Sequence, residues 1–358
     1  MRAVVRRGTT LVCDEIADPV PGPGQVLVKT LCCGICGSDL HALHHLDHMV
    51  ELSRRSGAAG NLDPTKDVVF GHEFSAEVLD YGPGTEGRLK AGTRVVSFPA
   101  AVGPAGVELI GYSNNAPGGF AERMLLSEAF LLEVPNGLSS EAAAMTEPFA
   151  VGAHAVEMAL LEKGSVSLVL GCGPVGLAVI ASLKARGHGP VIAADFSPAR
   201  RAMAERMGAD VIIDPAQESA HSRWDGLGAP TSLAVHMMMQ MAGQKPARPV
   251  VFECVGAPGV LQSVIEGCPP AAQIVVAGVC MEPDRIEPSL AINKQVDLRF
   301  VLGYSPQEFA QTLHDIAEGK LDVAPVITDR VGLGGVAGAF AELAHPDRQV
   351  KVVVEPFR

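Results

Sequence analysis

Cys33 and Cys36 stand three residues apart, with Ser38, Asp39 and His41 directly after them and Gly71-His72-Glu73 further on. Thiolate sulfur and imidazole nitrogen are donors that zinc prefers, so the two stretches are suited to sharing one ion. Either stretch alone is unspecific. A Cys-x-x-Cys pair also serves as a redox couple, but that chemistry expects the pair near the start of a helix in a β-α-β unit. This pair sits in a β-rich segment. His41, His44, His45 and His48 show two i, i+4 spacings, which suit either a surface metal or a solvated helix face. No metal is assigned to them.

A different chemistry is written in Gly171-Cys172-Gly173-Pro174-Val175-Gly176, which follows a predicted strand and opens a predicted helix. Glycines there permit a tight turn, close approach of a pyrophosphate and close helix packing, and the helix start offers unpaired N–H groups to the anion. A lone Gly-x-Gly-x-x-Gly is weak evidence. Its weight rises here because Asp195 ends the next strand at about twenty residues' distance, the spacing of a ribose-binding carboxylate. Such a carboxylate repels a 2′-phosphate, so NAD is expected in preference to NADP. Arg200 and Arg201 lie nearby and argue the other way.

These residues need a frame. Up to about residue 130 the chain is rich in Gly, Pro and β-formers, with short strands predicted at Gln25–Leu31, Val68–Phe70, Phe74–Leu79 and Arg94–Phe98. From about Pro148 apolar runs alternate with helical stretches: Val166–Leu170, Val191–Asp195, Val211–Ile213, Val250–Glu253, Gln273–Ala277 and Leu298–Leu302. That alternation predicts a parallel sheet covered on both faces. Val166–Leu183 is apolar enough to suggest a membrane span, but Gly171, Gly173, Pro174 and Gly176 interrupt it and favour a strand, a turn and a buried helix. The methionine-rich run His236–Met241 is expected to fill core.

A length of 358 residues predicts about two domains. The net charge of −12 excludes nucleic acid and anionic membranes as main partners. Met1–Gly8 has three arginines with no apolar stretch behind them, unlike a signal peptide. Eight irregularly spaced cysteines do not form a disulfide framework, so a reducing cytoplasm is expected.

The three motifs, in this order, resemble the medium-chain, zinc-dependent alcohol and polyol dehydrogenases, in the branch that holds sorbitol, threonine and butanediol dehydrogenases. The resemblance covers nearly the whole chain. It implies an α/β fold: a barrel-like (GroES-like) β-rich catalytic domain over 1–148 and 305–358, and a Rossmann domain with a doubly wound parallel sheet over 149–304. It implies a zinc held by Cys36, His72 and Glu147, the last in a Glu-Pro pair with Pro148 that is typical of this branch. Glu73 becomes an alternate or supporting carboxylate. Hydride would pass between a CH–OH carbon and NAD through a zinc-bound alkoxide. Ser38 would take the proton, His41 would carry it outward, and Asp39 would orient His72. The dinucleotide would lie on Gly171, Gly173, Pro174, Val175 and Gly176, with Asp195, Arg200, Val279 and Lys351 as further contacts, Lys351 meeting the pyrophosphate.

The family pattern is broken in places. Many relatives carry four clustered cysteines for a structural zinc, yet Ser97–Gly119 contains none, so one catalytic zinc per chain and no structural zinc are expected. His44–Lys66 is longer than usual and is expected to form a lobe near the substrate entrance; Gln217–Arg248 is a second expansion. Self-association into a homodimer or homotetramer is expected along Leu298–Leu302. The substrate is expected to be a small alcohol, polyol or carbonyl compound in an aliphatic pocket. Alternatives are an aldehyde or ketone reductase of the same fold, and a zinc- and nucleotide-binding relative without turnover.

Overall fold

A computed structural model describes residues 1–58, 62–103, 106–135, 137–345 and 348–358. The chain divides into two compact units, Met1–Pro148 with Phe309–Arg358, and Phe149–Glu308. The first stretch supplies β1 (Arg2–Arg7), β2 (Thr10–Glu15), β3 (Gln25–Gly34), β4 (Val68–Val69) and β5 (Glu73–Tyr81). It continues with β6 (Arg94–Ser97), β7 (Ala100–Gly103), β8 (Gly106–Leu109), β9 (Arg123–Ser127) and β10 (Leu131–Glu133). Three helices join them: α1 (Gly37–Arg55), α2 (Ser140–Ala144) and α3 (Thr146–Glu157), the last starting just ahead of the unit boundary. The second unit holds β11 (Val166–Leu170), α4 (Pro174–Ala185), β12 (Val191–Ala194), α5 (Pro198–Arg206), β13 (Val211–Ile213) and α6 (Leu233–Met241). It ends with β14 (Pro249–Glu253), β15 (Gln273–Val276) and β16 (Asp297–Phe300). The returning chain adds β17 (Ile327–Val331) and β18 (Lys351–Val354) to the first unit.

In the first unit the main sheet runs β10-β6-β5-β3-β18-β17, with β9 also paired to β3. A second sheet, β2-β1-β4, and the hairpin β7-β8 complete it. β3 alternates between partly and fully buried residues along most of its length, the period-2 signature of a strand with two unlike faces. Its buried side joins Phe70, Phe74, Ile110, Phe120 and Phe340 in one apolar core. α1 is longer than the surrounding β-rich texture suggests. It breaks its helical geometry at His45 (φ −126°, ψ 26°), within the histidine-rich run. The expected lobe His44–Lys66 is thus the far part of α1 and the chain after it, of which 59–61 lie outside the described residues.

The second unit is a six-stranded sheet in the order β13-β12-β11-β14-β15-β16, every neighbouring pair parallel. This is the order of the Rossmann fold, with the switch point between β11 and β14. β11, β12, β14 and β15 are buried almost throughout, which is why they read as plain apolar runs. One expectation fails here. The methionine run does not fill core: on α6, Met237, Met238 and Met241 are exposed and only His236 is buried. The core residues that this expansion supplies are Trp224 and Ala229, packed with Ile213 and Val251. No helix among the described residues is long and apolar enough to cross a membrane.

Candidate active site

Strand register builds the first site. β3 and β5 are antiparallel with Gly34 opposite Glu73, so Cys36, two residues beyond the end of β3, comes beside His72, one residue before β5. β18 flanks β3 on the other side with Val353 opposite Gly34, which brings Lys351 to the same end of the sheet. Donor atoms of Cys36, His72 and Glu73 all lie within 4.8 Å of one another, the one such group among the described residues.

Asp39 organises this cluster. It is fully buried in the first turn of α1, where Oδ2 accepts the Cys36 N–H at 3.0 Å and fixes the start of the helix. Its Oδ1 accepts the Tyr112 hydroxyl at 3.0 Å and stands 3.4 Å from His72 Nδ1. That nitrogen is buried and is not aligned for a hydrogen bond with any protein group. Burial by itself favours neutral imidazole, but Asp39 and the Cys36 sulfur outweigh it and hold the His72 pKa well above its ordinary value. The cluster attracts positive charge. A zinc ion fits it by donor type, and would supply that charge in place of the proton.

The carboxylate differs from expectation. Glu73, not Glu147, falls in the close group, because it directly follows His72 at the strand end. Yet both Glu73 oxygens accept from Lys351 Nζ, at 2.8 and 2.7 Å, and each partner is only 1% exposed. A Cβ at Gly34 would overlap the Glu73 carboxylate, so the cradle that seats it requires glycine there. Glu147 is buried in the first turn of α3, and its charge helps raise the Lys351 pKa after that of Glu73 and Cys36 has overcome the cost of burial.

Lys351 is therefore corrected. Expected at a pyrophosphate, it is instead a core lysine whose ammonium donates to both Glu73 oxygens and to the Ile35 carbonyl at 3.0 Å. Sequence shows its charge but not its burial.

Ser38 Oγ pairs with the Tyr112 hydroxyl at 2.9 Å, whereas His41 is exposed on α1 and makes no hydrogen bond to Ser38. Burial, and then His45, lower the His41 pKa. Tyr112 was not anticipated. It lies 74 residues from Ser38 in sequence, in a turn rich in Gly, Asn and Ser, and only its being one of three tyrosines marks it. Its ring packs on His72 with centroids 5.3 Å apart. Burial, reinforced by Asp39, holds its pKa far above normal, so it is a neutral phenol. Beside Ser38 and Tyr112 opens a cavity of about 270 Å³ with an apolar wall of Leu46, Met49, Val50, Leu62 and Leu109. The wall joins α1 to β8, so Ser97–Gly119, apart from 104–105 outside the described residues, forms a hairpin and turn along this cavity.

The second unit carries the dinucleotide motif as a strand, turn and helix. β11 ends at Leu170, Gly171 takes φ +85°, and α4 begins at Pro174 with Gly173 as its cap. A Cβ at Gly176 would overlap the Gly171 carbonyl, so glycine lets helix and turn touch. Asp195 follows β12; one oxygen accepts the Cys172 N–H at 2.8 Å and the other the Ser197 N–H at 2.7 Å. Lone pairs remain on both oxygens. Arg201 is occupied by Asp214 at 3.0 Å and by the Asp195 and Phe196 carbonyls. Arg200 has a buried Nε without a partner, and its Nη1 stands 3.9 Å from where a Cβ on Gly173 would be. Val279 is exposed, its backbone packed against Gly256.

Residues 22–136 match the sequence model of an alcohol dehydrogenase GroES-like domain, and residues 174–318 that of a zinc-binding dehydrogenase. The (R,R)-butanediol dehydrogenase of Bacillus subtilis is 32% identical over 352 residues, covering 96% of each chain. The sorbitol dehydrogenase of Rattus norvegicus is 30% identical over 355 residues, covering 94% of this chain and 91% of its own. The crystal structure of 2R,3R-butanediol dehydrogenase from Bacillus subtilis superimposes with a TM-score of 0.78 at 30% identity, covering 99% of both chains.

Proposed function

The chain belongs to the medium-chain, zinc-dependent alcohol and polyol dehydrogenases, and from that premise we propose that it exchanges a hydride between the CH–OH carbon of a small alcohol or polyol and NAD. The observation that supports this most directly is the convergence of the Cys36 thiol and the His72 imidazole, with the Glu73 carboxylate beside them and all three within 4.8 Å, next to a hydroxyl pair and an apolar cavity.

In this reading Cys36, His72 and Glu147 hold the zinc, and Glu73, its charge balanced by Lys351, is the supporting or alternate carboxylate. Bound zinc would act as a Lewis acid that lowers the pKa of the substrate hydroxyl. Asp39 keeps the Cys36 backbone, His72 and Tyr112 in register. Ser38 receives the hydroxyl proton; Tyr112, neutral and bonded to Asp39, fixes the direction of the Ser38 oxygen. Ser38 would in turn release its own proton through intervening water to His41, which makes no direct hydrogen bond to it but is exposed and held towards its neutral form, and so to solvent. Met1–Pro148 with Phe309–Arg358 is the catalytic part and Phe149–Glu308 the cofactor part. Asp195 selects NAD by accepting ribose hydroxyls, and Arg200 is the residue that could soften this preference. A reducing cytoplasm suits eight cysteines that are all unpaired.

The test is NAD reduction across simple alcohols, diols and polyols, repeated with NADP and after chelation. We expect turnover that NAD supports better than NADP, that a chelator abolishes, and that accompanies one zinc per chain by elemental analysis. Metal-independent turnover would end the assignment.

We also place self-association on β16. It closes the sheet, all four of its residues are exposed, and Phe300 and Leu302 stand out at 67% and 91%. An open strand edge with exposed apolar side chains is an unstable arrangement for a lone protomer. Sedimentation velocity should give a dimer or tetramer; a single species at 37.3 kDa would exclude it.

A further inference from the structure

The cavity beside Ser38 contains a polar group that the reaction itself does not use. Glu108, on β8, is the one charged side chain among the described residues that line it. The carboxylate is partly buried and is held in place. Asn115 Nδ2 donates to Oε1 at 3.2 Å, and the Ser113 hydroxyl donates to the other oxygen. Ser113 is buried, and its oxygen accepts the N–H groups of Asn115 and Ala116 at 3.0 and 3.2 Å, so its single proton is committed to Glu108. An ionised carboxylate offers about four acceptor sites. Two are taken by these side chains, and the rest are available to a molecule in the cavity.

No lysine or arginine is among the described lining residues, and the remaining wall is apolar apart from Ser38, Ser53, Ser113 and Tyr112. A substrate with its own carboxylate or phosphate would bring an unpaired negative charge beside Glu108 in a partly desolvated space, which costs energy on both counts. A hydroxyl or ammonium on the same carbon chain would instead donate to it. The cavity is slightly below the usual ligand-pocket range of about 300–1,000 Å³, so the favoured molecule is small.

We propose that Glu108 is a specificity-determining residue of this site: its carboxylate accepts a hydrogen bond from a second donor group on a small aliphatic alcohol and turns away anionic substrates. This rests on the dehydrogenase reading above, and it adds what that reading lacks, a residue that chooses among alcohols.

Four probes sharing a four-carbon skeleton test it with the zinc- and NAD-loaded enzyme: 2-butanol, 2,3-butanediol, 3-amino-2-butanol and 3-hydroxybutyrate. In the unmodified enzyme, kcat/KM should be about tenfold higher for the diol and the amino alcohol than for 2-butanol, and lowest for the hydroxy acid. In Glu108→Leu the diol-to-2-butanol ratio should fall about tenfold, the worth of one hydrogen bond to a charged group. Glu108→Gln preserves the outline that Ser113 and Asn115 recognise and guards against a folding defect. It should raise the hydroxy acid relative to 2-butanol by about tenfold while the amino alcohol falls. Ratios unchanged in both variants, or a natural preference for the hydroxy acid, overturn the role of Glu108 alone. Absence of NAD reduction with these and every other alcohol overturns the dehydrogenase reading, and the proposal with it.

Discussion

Replacing Cys36 with serine is expected to lower kcat/KM for alcohol oxidation by about 10³-fold, because at the proposed zinc site a Lewis acid worth several kcal/mol of barrier would be lost with its thiolate ligand. Zinc content should drop from one per chain towards zero, while NAD binding changes less than about twofold, since the Gly171–Gly176 turn belongs to a unit with its own core. Two companion variants identify the carboxylate. Glu147→Gln should lose zinc as Cys36→Ser does, whereas Glu73→Gln should retain it, because the amide oxygen introduced there can still accept from Lys351. The reverse pattern, with zinc kept in Glu147→Gln and lost in Glu73→Gln, would transfer the ligand role to Glu73. Isothermal titration with zinc and inductively coupled plasma analysis read both results without reference to activity.

The largest stability effect is expected at Lys351→Met. Lys351 and Glu73 are both about 1% exposed, and the ammonium also satisfies the Ile35 carbonyl. Removing one partner of such a pair strands a buried charge and costs about 3–5 kcal/mol. At roughly 2–4 °C per kcal/mol for a unit of this size, the melting temperature should fall by about 10 °C. The double variant with Glu73→Gln should recover most of that loss, since no unpaired charge remains. Calorimetry of the single and double variants decides the matter. A lysine reaching solvent or a bound pyrophosphate predicts a shift of no more than a degree or two for the single change, and that result would refute the buried clamp.

The cofactor half is the more legible part of the sequence. Val166–Leu170 and Val211–Ile213 coincide with β11 and β13, and the other four strands agree within two residues at either end. Parallel strands buried on both faces leave unbroken apolar runs, and Gly171 to Gly176 punctuate the first of them where the chain turns into α4. In the other half the signals are weaker. β1 carries Arg2, Arg6 and Arg7, which hide a strand; Arg6 is nonetheless buried, its guanidinium donating to the Leu43 and Pro64 carbonyls at 3.5 and 3.0 Å. Cys36 and His72 were readable because soft donors are rare and their motifs are local. Tyr112, the Glu73–Lys351 pair and Glu108 were not, because each depends on a partner or cavity that the fold brings from elsewhere. Lys351 and Glu73 are 278 residues apart, a distance over which charge pairing leaves no pattern in the chain.

The break in α1 at His45 separates two duties carried by one element. Ahead of it lie Cys36, Ser38 and Asp39, tied to the sheet end and to Tyr112; beyond it, Leu46, Met49 and Val50 form part of the cavity wall. An unbroken helix would transmit any tilt of its far turns straight back to its first one, as a lever does. A joint between them lets the wall be reshaped for a different ligand while Cys36, Ser38 and Asp39 keep their places. The two ends of a single stretch of nineteen residues can therefore drift independently.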